Sequence, residues 1–494
     1  LLCPDGAALR GASSKGKSVD SILYWNEVAI EADRTTHTTK TPSEQGVQGP
    51  AGSSRALAIV HLAMHDAYFG INPGYEPYLG EDLPKPPPGA DADAAIAAAA
   101  HATLSALYPT QKDFFNARHA AAGLVAGKPD VDGHNFGQKV AAKILTLRKN
   151  DPPLTDDGYS SSVAPGHHRQ DPDNPGQGFY APFYGAAARN FAVTTRHHLD
   201  EPPRPSSVEY DNAIRQVRSK GIRPDLTATL PDELFAARRT PTETSIGYFW
   251  GYDGAKGLGT PPRLYNQIVR QVANAQGNDI AKNARLFALL NAAMADAGIL
   301  AWRDKYFYDV WRPVLGIREH DASSGPTGVG GDVLDLDADP NWLPLGAQNT
   351  NNVGQKNFTP NFPAYPSGHA TFGAAVFQTV RRFYNCGTYG PDHLAAGLEF
   401  VSDELNGINV DNTGTVRQRR VRSFPGGLWQ MIEENGRSRT FLGVHWLFDA
   451  FALNEKGEID LTQNIGGVRL GLDIANDIAE NGLKASAAAS PDPA

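Results

Sequence analysis

The tetrapeptide Pro366-Ser367-Gly368-His369 runs directly into Ala370-Thr371-Phe372. Pro366 disfavours helical geometry at Tyr365, Ser367 is a good N-cap, and Phe372, Val376, Val380 and Phe383 recur at helical spacing. A helix starting here turns its first amides, from Gly368 and His369, outward beside a serine hydroxyl, which makes half of an oxyanion pocket. Two other stretches carry the charge that would complete it. Upstream lies Lys305-Tyr-Phe-Tyr-Asp-Val-Trp-Arg312-Pro313, and downstream Ser438-Arg439-Thr-Phe-Leu-Gly443-Val-His445-Trp-Leu-Phe-Asp449. Fixed cations, a hydroxyl, helix-start amides and the imidazoles of His369 and His445 together describe a receptor for a tetrahedral or trigonal-bipyramidal oxyanion.

The elements that must position these groups read as helices. Lys305 and Arg312 are about two turns apart, which predicts one helix face that Pro313 ends. Arg439 and His445 sit about 120° apart on an ideal helix, so either the arginine reaches across or Gly443 marks a break. Trp302, Tyr306 and Trp311 crowd the first cation pair and argue against an open solvated face.

Period-2 alternation is scarce along the chain, and helical periodicity predicts an all-α protein. Helices are expected at 19–32, from Ser53 and Ser54 as caps through Phe69, at 91–107, 110–123 and 130–149, then at 206–220, 241–250 and 261–275. Further helices are expected at 278–312 (one long helix or a kinked pair), 369–385, 391–405, 426–448 and 467–482. Residues 151–190, rich in Pro, Gly, Asp and Tyr, form a long irregular segment whose aromatic run Phe179-Tyr180-Ala-Pro-Phe183-Tyr184 predicts an ordered cover between two halves. Residues 320–361 are a second such loop. The expected division is a disordered tail at 1–19, an N-terminal helical unit at 20–200, a C-terminal unit at 201–483 carrying the site, and a disordered tail at 484–494.

The chain of 494 residues has a formal charge of −9 and no dense basic run, so nucleic acid is excluded as a partner and the site's positive charge is local. No uninterrupted apolar run of membrane-spanning length is visible, the nearest being Leu286 to Trp302 with Asn291 and Asp296 inside it, so no membrane is expected. Two cysteines, Cys3 and Cys386, make no disulfide framework, and the scarcity of cysteine and methionine (three of the latter) suits exposure to a strong oxidant. His61 and His65 have i,i+4 metal-ligand spacing, but no Glu follows the first, and core histidines bonded to backbone or carboxylate are the better reading.

The pattern Lys-x6-Arg-Pro, Pro-Ser-Gly-His, Ser-Arg-x5-His-x3-Asp resembles the signature shared by vanadium-dependent haloperoxidases and the type 2 phosphatidic acid phosphatase superfamily. The chain is most similar to fungal-type vanadium chloroperoxidases, through Tyr24-Trp25-Asn26, Arg55-Ala-Leu-Ala, His61-Leu-Ala-Met-His65-Asp66, Gly259-Thr-Pro-Pro-Arg-Leu-Tyr-Asn and Gly471-Leu-Asp-Ile-Ala-Asn-Asp. The resemblance implies two four-helix bundles with the site in the C-terminal one. It implies vanadate as cofactor, its oxygens held by Lys305, Arg312, Ser367, Gly368 and Arg439, with His445 as the metal ligand, and phosphate able to occupy the site in its absence. His369 and Lys305 would be catalytic, the first as acid/base and the second polarising bound peroxide. Asp253 matches a position that pairs with the arginine at 439, and Asp449 could orient His445. Phe362 and Trp302 match the chloroperoxidase pattern beside the halide.

The implied activity is oxidation of chloride and bromide by hydrogen peroxide to hypohalous acid, which halogenates small organic acceptors. A monomer or small homo-oligomer, secreted by family analogy, is expected. The alternative within the superfamily is an acid phosphatase, with His445 as nucleophile through a phosphohistidine and His369 as leaving-group acid.

Overall fold

A computed structural model of the chain describes residues 20–125, 131–149, 151–205, 207–321, 323–329, 335–387 and 389–486. The expected tail at 1–19, Cys3 and residues 487–494 lie outside them. Residues 484–486, expected to open the C-terminal tail, are instead tied down: Glu76 N donates to Lys484 O at 2.8 Å and Ser486 N to Gly74 O at 3.0 Å.

Among the described residues the regular structure is helical, with isolated β-bridges and no strand. The helices are α1 (Ser21–Thr39), α2 (Gly49–Ile71), α3 (Ala92–Leu107), α4 (Lys112–Val125), α5 (Val131–Leu147), α6 (Tyr184–Ala187), α7 (Val208–Lys220), α8 (Asp232–Ala236), α9 (Pro241–Phe249), α10 (Pro261–Ala275), α11 (Ile280–Tyr308), α12 (Pro313–Arg318), α13 (Gly368–Phe383), α14 (Gly427–Phe441) and α15 (Gly466–Asn481). The all-α expectation holds.

Several ends differ from expectation, each for a local reason. Helix α1 passes Ala32 because the polar residues beyond it find partners, His37 Nε2 accepting from Gly49 N at 2.9 Å. Helix α2 starts at Gly49-Pro50, with proline in the first turn, and the expected caps are inside it: Ser53 is buried and its hydroxyl donates to Asp33. The helix expected at 391–405 is absent apart from a single turn at Asp403–Leu405. Asp392 serves other elements instead. Its carboxylate accepts from Leu428 N (3.1 Å) and Trp429 N (3.0 Å), capping the start of α14, and pairs with Arg381 Nε at 2.9 Å.

Helix α11 is the central element, packed on α2, α13 and α15. It is long and apolar enough to cross a membrane, yet 94% of its most apolar window is buried inside this fold, as befits a core helix. Helix α13, which carries the Pro-Ser-Gly-His stretch at its start, is clamped between α11, α14 and α15. Its contact with α15 depends on small residues: a Cβ at Gly467 would lie 2.5 Å from Ser367 O, and one at Gly471 2.5 Å from Thr371 O. Only glycine lets those backbones approach, so α15 fixes the register of the site helix.

Candidate active site

Lys305 and Arg312 do not share a helix. Helix α11 ends at Tyr308, Asp309 takes a left-handed conformation (φ 52°), and Arg312 is the extended residue that opens α12. Pro313 enforces the extended geometry at Arg312, but the turn begins three residues earlier, without a glycine to announce it. Likewise α14 ends at Phe441 and Gly443 (φ +75°) turns the chain, so Arg439 and His445 reach the site from different elements.

The three segments nonetheless meet. Arg312 Nη1 lies 2.9 Å from His445 Nε2 and donates to Val444 O at 2.7 Å, while its Nε donates to Phe362 O at 2.8 Å. His445 Nδ1 is 2.7 Å from Asp449 Oδ2, which also accepts from Trp446 N at 3.0 Å. The carboxylate keeps the proton on Nδ1 and leaves the lone pair on Nε2, the state a metal ligand requires. Ser367 N donates to Asp449 O at 2.7 Å, which ties the start of α13 to the same turn, and the Ser367 hydroxyl accepts from Ala370 N as an N-cap.

Arg439 forms a two-pronged pair with Asp253, at 2.7 and 3.0 Å. His369, in the first turn of α13, has its Nε2 3.9 Å from Asp253 Oδ1, beyond hydrogen-bond range. Its main-chain carbonyl accepts from Asn435 Nδ2 at 2.7 Å and Tyr265 Oη at 3.2 Å. Lys305 stands behind this layer. Its Nζ is fully buried and donates to the carbonyls of Pro363 (2.9 Å), Ala364 (3.1 Å) and Pro366, so the ammonium folds the approach to Ser367 around itself.

Gly368, His369, Arg439 and His445 face a cavity of about 130 Å³, walled by Tyr180, Trp302, Phe362 and Phe372. Lys305, Arg312 and Ser367 do not line it; they brace the groups that do. The Trp302 and Phe362 rings are 4.8 Å apart, with Lys305 Nζ 5.1 Å and Arg312 Cζ 5.0 Å from the Phe362 centroid.

Burial governs the ionisation of this cluster. His369 is pulled down to about 3, by burial and then by Arg439, and His445 well below its usual range, by burial and then by Arg312. Both imidazoles are therefore neutral over the ordinary pH range. Burial also lowers Lys305 strongly and Arg312 to about 9, and lifts Asp449 up to about 7 against the pull of Lys305 and Arg312. Burial pushes Asp253 up as well, but Arg439, His369 and Arg312 outweigh it and hold the carboxyl below its ordinary value.

Sequence reasoning missed three contributors. Tyr180, from the covering segment, walls the cavity, and its carbonyl accepts from Trp302 Nε1 (3.2 Å) and Tyr306 Oη (2.7 Å). Asn435 and Tyr265 hold His369 from behind; the only sequence signal was Asn435 standing one helical turn before Arg439. His61 and His65 are engaged elsewhere, with Leu57 O, Asn26 and Asp66, and belong to no cluster fit for a metal among the described residues.

Arg312 Nη2, Arg439 Nε and His369 Nε2 are buried without any partner. Orphaned buried polar atoms are costly and rare, and here they lie on residues that touch His445 or share its cavity. This set fits an oxyanion cofactor: guanidinium N–H groups for its oxygens and one imidazole lone pair for its central atom.

The comparisons with known proteins agree. Residues 17–190 match the vanadium chloroperoxidase N-terminal domain, and residues 285–459 the second helical-bundle domain of vanadium chloroperoxidase (VCPO). The vanadium chloroperoxidase of Curvularia inaequalis is 35% identical over 577 aligned positions, covering 94% of this chain and 90% of that protein. Among solved structures, a bacterial vanadium-dependent iodoperoxidase shares the fold at a TM-score of 0.64 and 18% identity, covering 94% of this chain and 98% of its own. A bacterial vanadium-dependent chloroperoxidase in its apo form does so at 0.59 and 17%, over 88% and 95% of the two chains. At the identity and coverage shared with the fungal enzyme, the chain belongs to the vanadium chloroperoxidase family of vanadium-dependent haloperoxidases.

Proposed function

We propose that this enzyme oxidises chloride as well as bromide with hydrogen peroxide, releasing hypohalous acid that halogenates small organic acceptors. The observation that carries the reading is the set of unpartnered buried polar atoms, the N–H donors Arg312 Nη2 and Arg439 Nε and the His369 Nε2 acceptor, beside a histidine whose other nitrogen is fixed by Asp449.

In this reading Arg312, Arg439 and Gly368 would hold the oxygens of vanadate, with Ser367 and Lys305 bracing them from behind, and His445 Nε2 would be the protein's bond to the metal. Phosphate would occupy the same position in its absence. Bound there, vanadate supplies a Lewis-acid centre that activates peroxide toward halide. Each charge-assisted bond contributes roughly 1.5–3 kcal/mol, so several are needed to retain an exchangeable anion. The cluster sits in the C-terminal unit, residues 201–483, while the N-terminal unit, residues 20–200, contributes the cover around Tyr180.

The residues divide the work by charge. His369, neutral and facing the cavity, takes the proton of incoming peroxide at Nε2 and returns it to the departing oxygen. Asp253 holds Arg439 in a fixed plane so that its remaining N–H meets an oxygen without reorganisation. Lys305 cross-ties the carbonyls of 363, 364 and 366 and supplies positive potential behind the reacting oxygens. Trp302 and Phe362 wall the halide approach with aromatic surface, keeping water off the anion and strengthening the field it feels.

The test is chlorination and bromination of a phenol probe by vanadate-loaded protein with peroxide. Both products are expected; bromination alone would remove chloride from the assignment.

A further inference from the structure

One concavity shares no lining residue with the reaction site. It encloses about 590 Å³ between the end of α7, the turn after it, α9 and the extended segment at 405–420. Its wall carries Arg238, Arg239, Arg417 and Arg420 and, among the described residues, no carboxylate. The floor is apolar, from Ile222, Pro224, Tyr248 and Leu405.

The four guanidinium groups are not equivalent. Arg417 is matched: it pairs with buried Glu404 and donates to Gln348 Oε1 at 2.8 Å. Arg239 is committed by position rather than by charge. Its Nη1 donates to the carbonyls of Lys220, Ile222 (3.0 Å) and Phe441 (3.2 Å), and its Nε to Thr244 Oγ1 at 3.0 Å. No carboxylate lies within ion-pair range, and Nη2 has no hydrogen-bond partner. Arg238 stacks on Phe235 at 4.1 Å and donates to that residue's carbonyl at 2.9 Å, again with no acidic partner. Arg420 makes no side-chain hydrogen bond or ion pair among the described residues.

Arg238, Arg239 and Arg420 thus place three positive charges with no salt bridge around one concavity, in a chain whose net charge is −9. Some exposed arginines of this molecule have acidic partners, as Arg204 has Glu201, Arg215 has Asp337 and Arg223 has Asp225, while Arg189 and Arg196 bond only to carbonyls; what sets this place apart is that its arginines share one concavity. Like charges gathered without compensation repel, a cost that an anion seated among them removes. Arg239 adds rigidity, because its main-chain bonds pre-set the free Nη2 edge and little rotamer entropy is lost on binding.

We propose that this concavity is a second ligand site, which takes a small organic polyanion: two or more carboxylate, sulfate or phosphate groups on a compact apolar body. The anionic groups meet Arg238, Arg239 and Arg420, and the body rests on Ile222, Tyr248 and Leu405. The volume falls within the usual range for small-molecule sites.

The test uses the full chain loaded with vanadate, so that the reaction site's own oxyanion position is already filled. Benzene-1,2,4,5-tetracarboxylate is titrated by calorimetry at low and high ionic strength, with thermal unfolding followed in parallel. The expected result is saturable binding of one molecule per chain, weakened by salt and accompanied by a rise in Tm. The double variant Arg238→Ala/Arg420→Ala, both exposed and outside the reaction site, is expected to bind at least about tenfold more weakly while keeping haloperoxidase activity and the ligand-free Tm. Arg215→Gln, which removes a cation elsewhere, is expected to bind like the parent. Absence of saturable binding by the parent protein, an unaffected double variant, or equal weakening by Arg215→Gln would each overturn the proposal.

Discussion

Arg312 Nη1 and His445 Nε2 lie 2.9 Å apart although 133 positions separate them in the chain. The contact determines how the imidazole is presented. Asp449 fixes the Nδ1 proton, so the lone pair on Nε2 accepts from a guanidinium N–H, and both atoms have a partner in a site too buried to hydrate them. In the proposed reading, an oxyanion centred there would exchange this contact for a bond at Nε2 and for anion bonds at the arginine. The cradle is thus organised before the anion arrives.

Asp449→Asn removes the carboxylate that fixes this tautomer. Vanadate affinity, read from the dependence of halogenation on added vanadate, is expected to fall by about 10–100-fold. Unchanged affinity would show that Asp449 only anchors the turn through Trp446.

His369→Ala separates proton transfer from anion binding. Turnover is expected to fall by about 10²–10⁴-fold, with vanadate affinity changed far less, because the arginines remain. Equal losses in both quantities would make His369 a binding group instead.

Phe362→His replaces the ring that packs against Trp302 and lies over both Lys305 and Arg312. A polar, hydratable ring there is expected to lower the ratio of chlorination to bromination, measured on one phenol probe under both halides. An unchanged ratio would move halide selection elsewhere.

Acid stability should depend on His61. Its Nδ1 meets Leu57 O at 2.7 Å and its Nε2 meets Asn26 Nδ2 at 2.9 Å, a pairing that needs the neutral ring. Burial lowers its ionisation to about 4, against roughly 6.5 in the unfolded chain. The folded state binds this proton less readily than the unfolded one, so the stability is complete above pH 6.5 and is lost as pH falls toward 4, by roughly 3 kcal/mol. Unfolding measured across that window should show a slope that His61→Asn diminishes; an identical slope in the variant would exclude His61.

The helices were legible wherever caps and periodicity agreed. The paired prolines opening α10 and the Ser367 cap of α13 mark their own starts, and α15 follows its apolar period. The meeting of the segments around residues 312, 369, 439 and 445 was legible through residue type and order. What the local pattern does not encode is where tertiary partners override it. Asp309 takes a left-handed turn with no glycine and splits the segment carrying Lys305 and Arg312, and Asp392, which reads as a helix start, caps α14 instead. Tyr180 and Asn435 were hard to single out for a similar reason: the aromatic run around Tyr180 predicts a cover but not its carbonyl's bonds to Trp302 and Tyr306, and Asn435 acts through long-range bonds to Tyr265 and the His369 carbonyl.

The central claim is that residues 305–312, 367–369 and 439–449 converge on one vanadate. It is tested most directly by stripping metal and oxyanions from the protein, titrating vanadate back, and following bromination with hydrogen peroxide alongside hydrolysis of a phosphate monoester, in parent and His445→Ala. The account predicts peroxide-dependent bromination that rises to saturation with about one vanadate per chain and is absent in the variant. Vanadate that fails to restore bromination while inhibiting monoester hydrolysis, or a His445→Ala protein restored as fully as the parent, would contradict it.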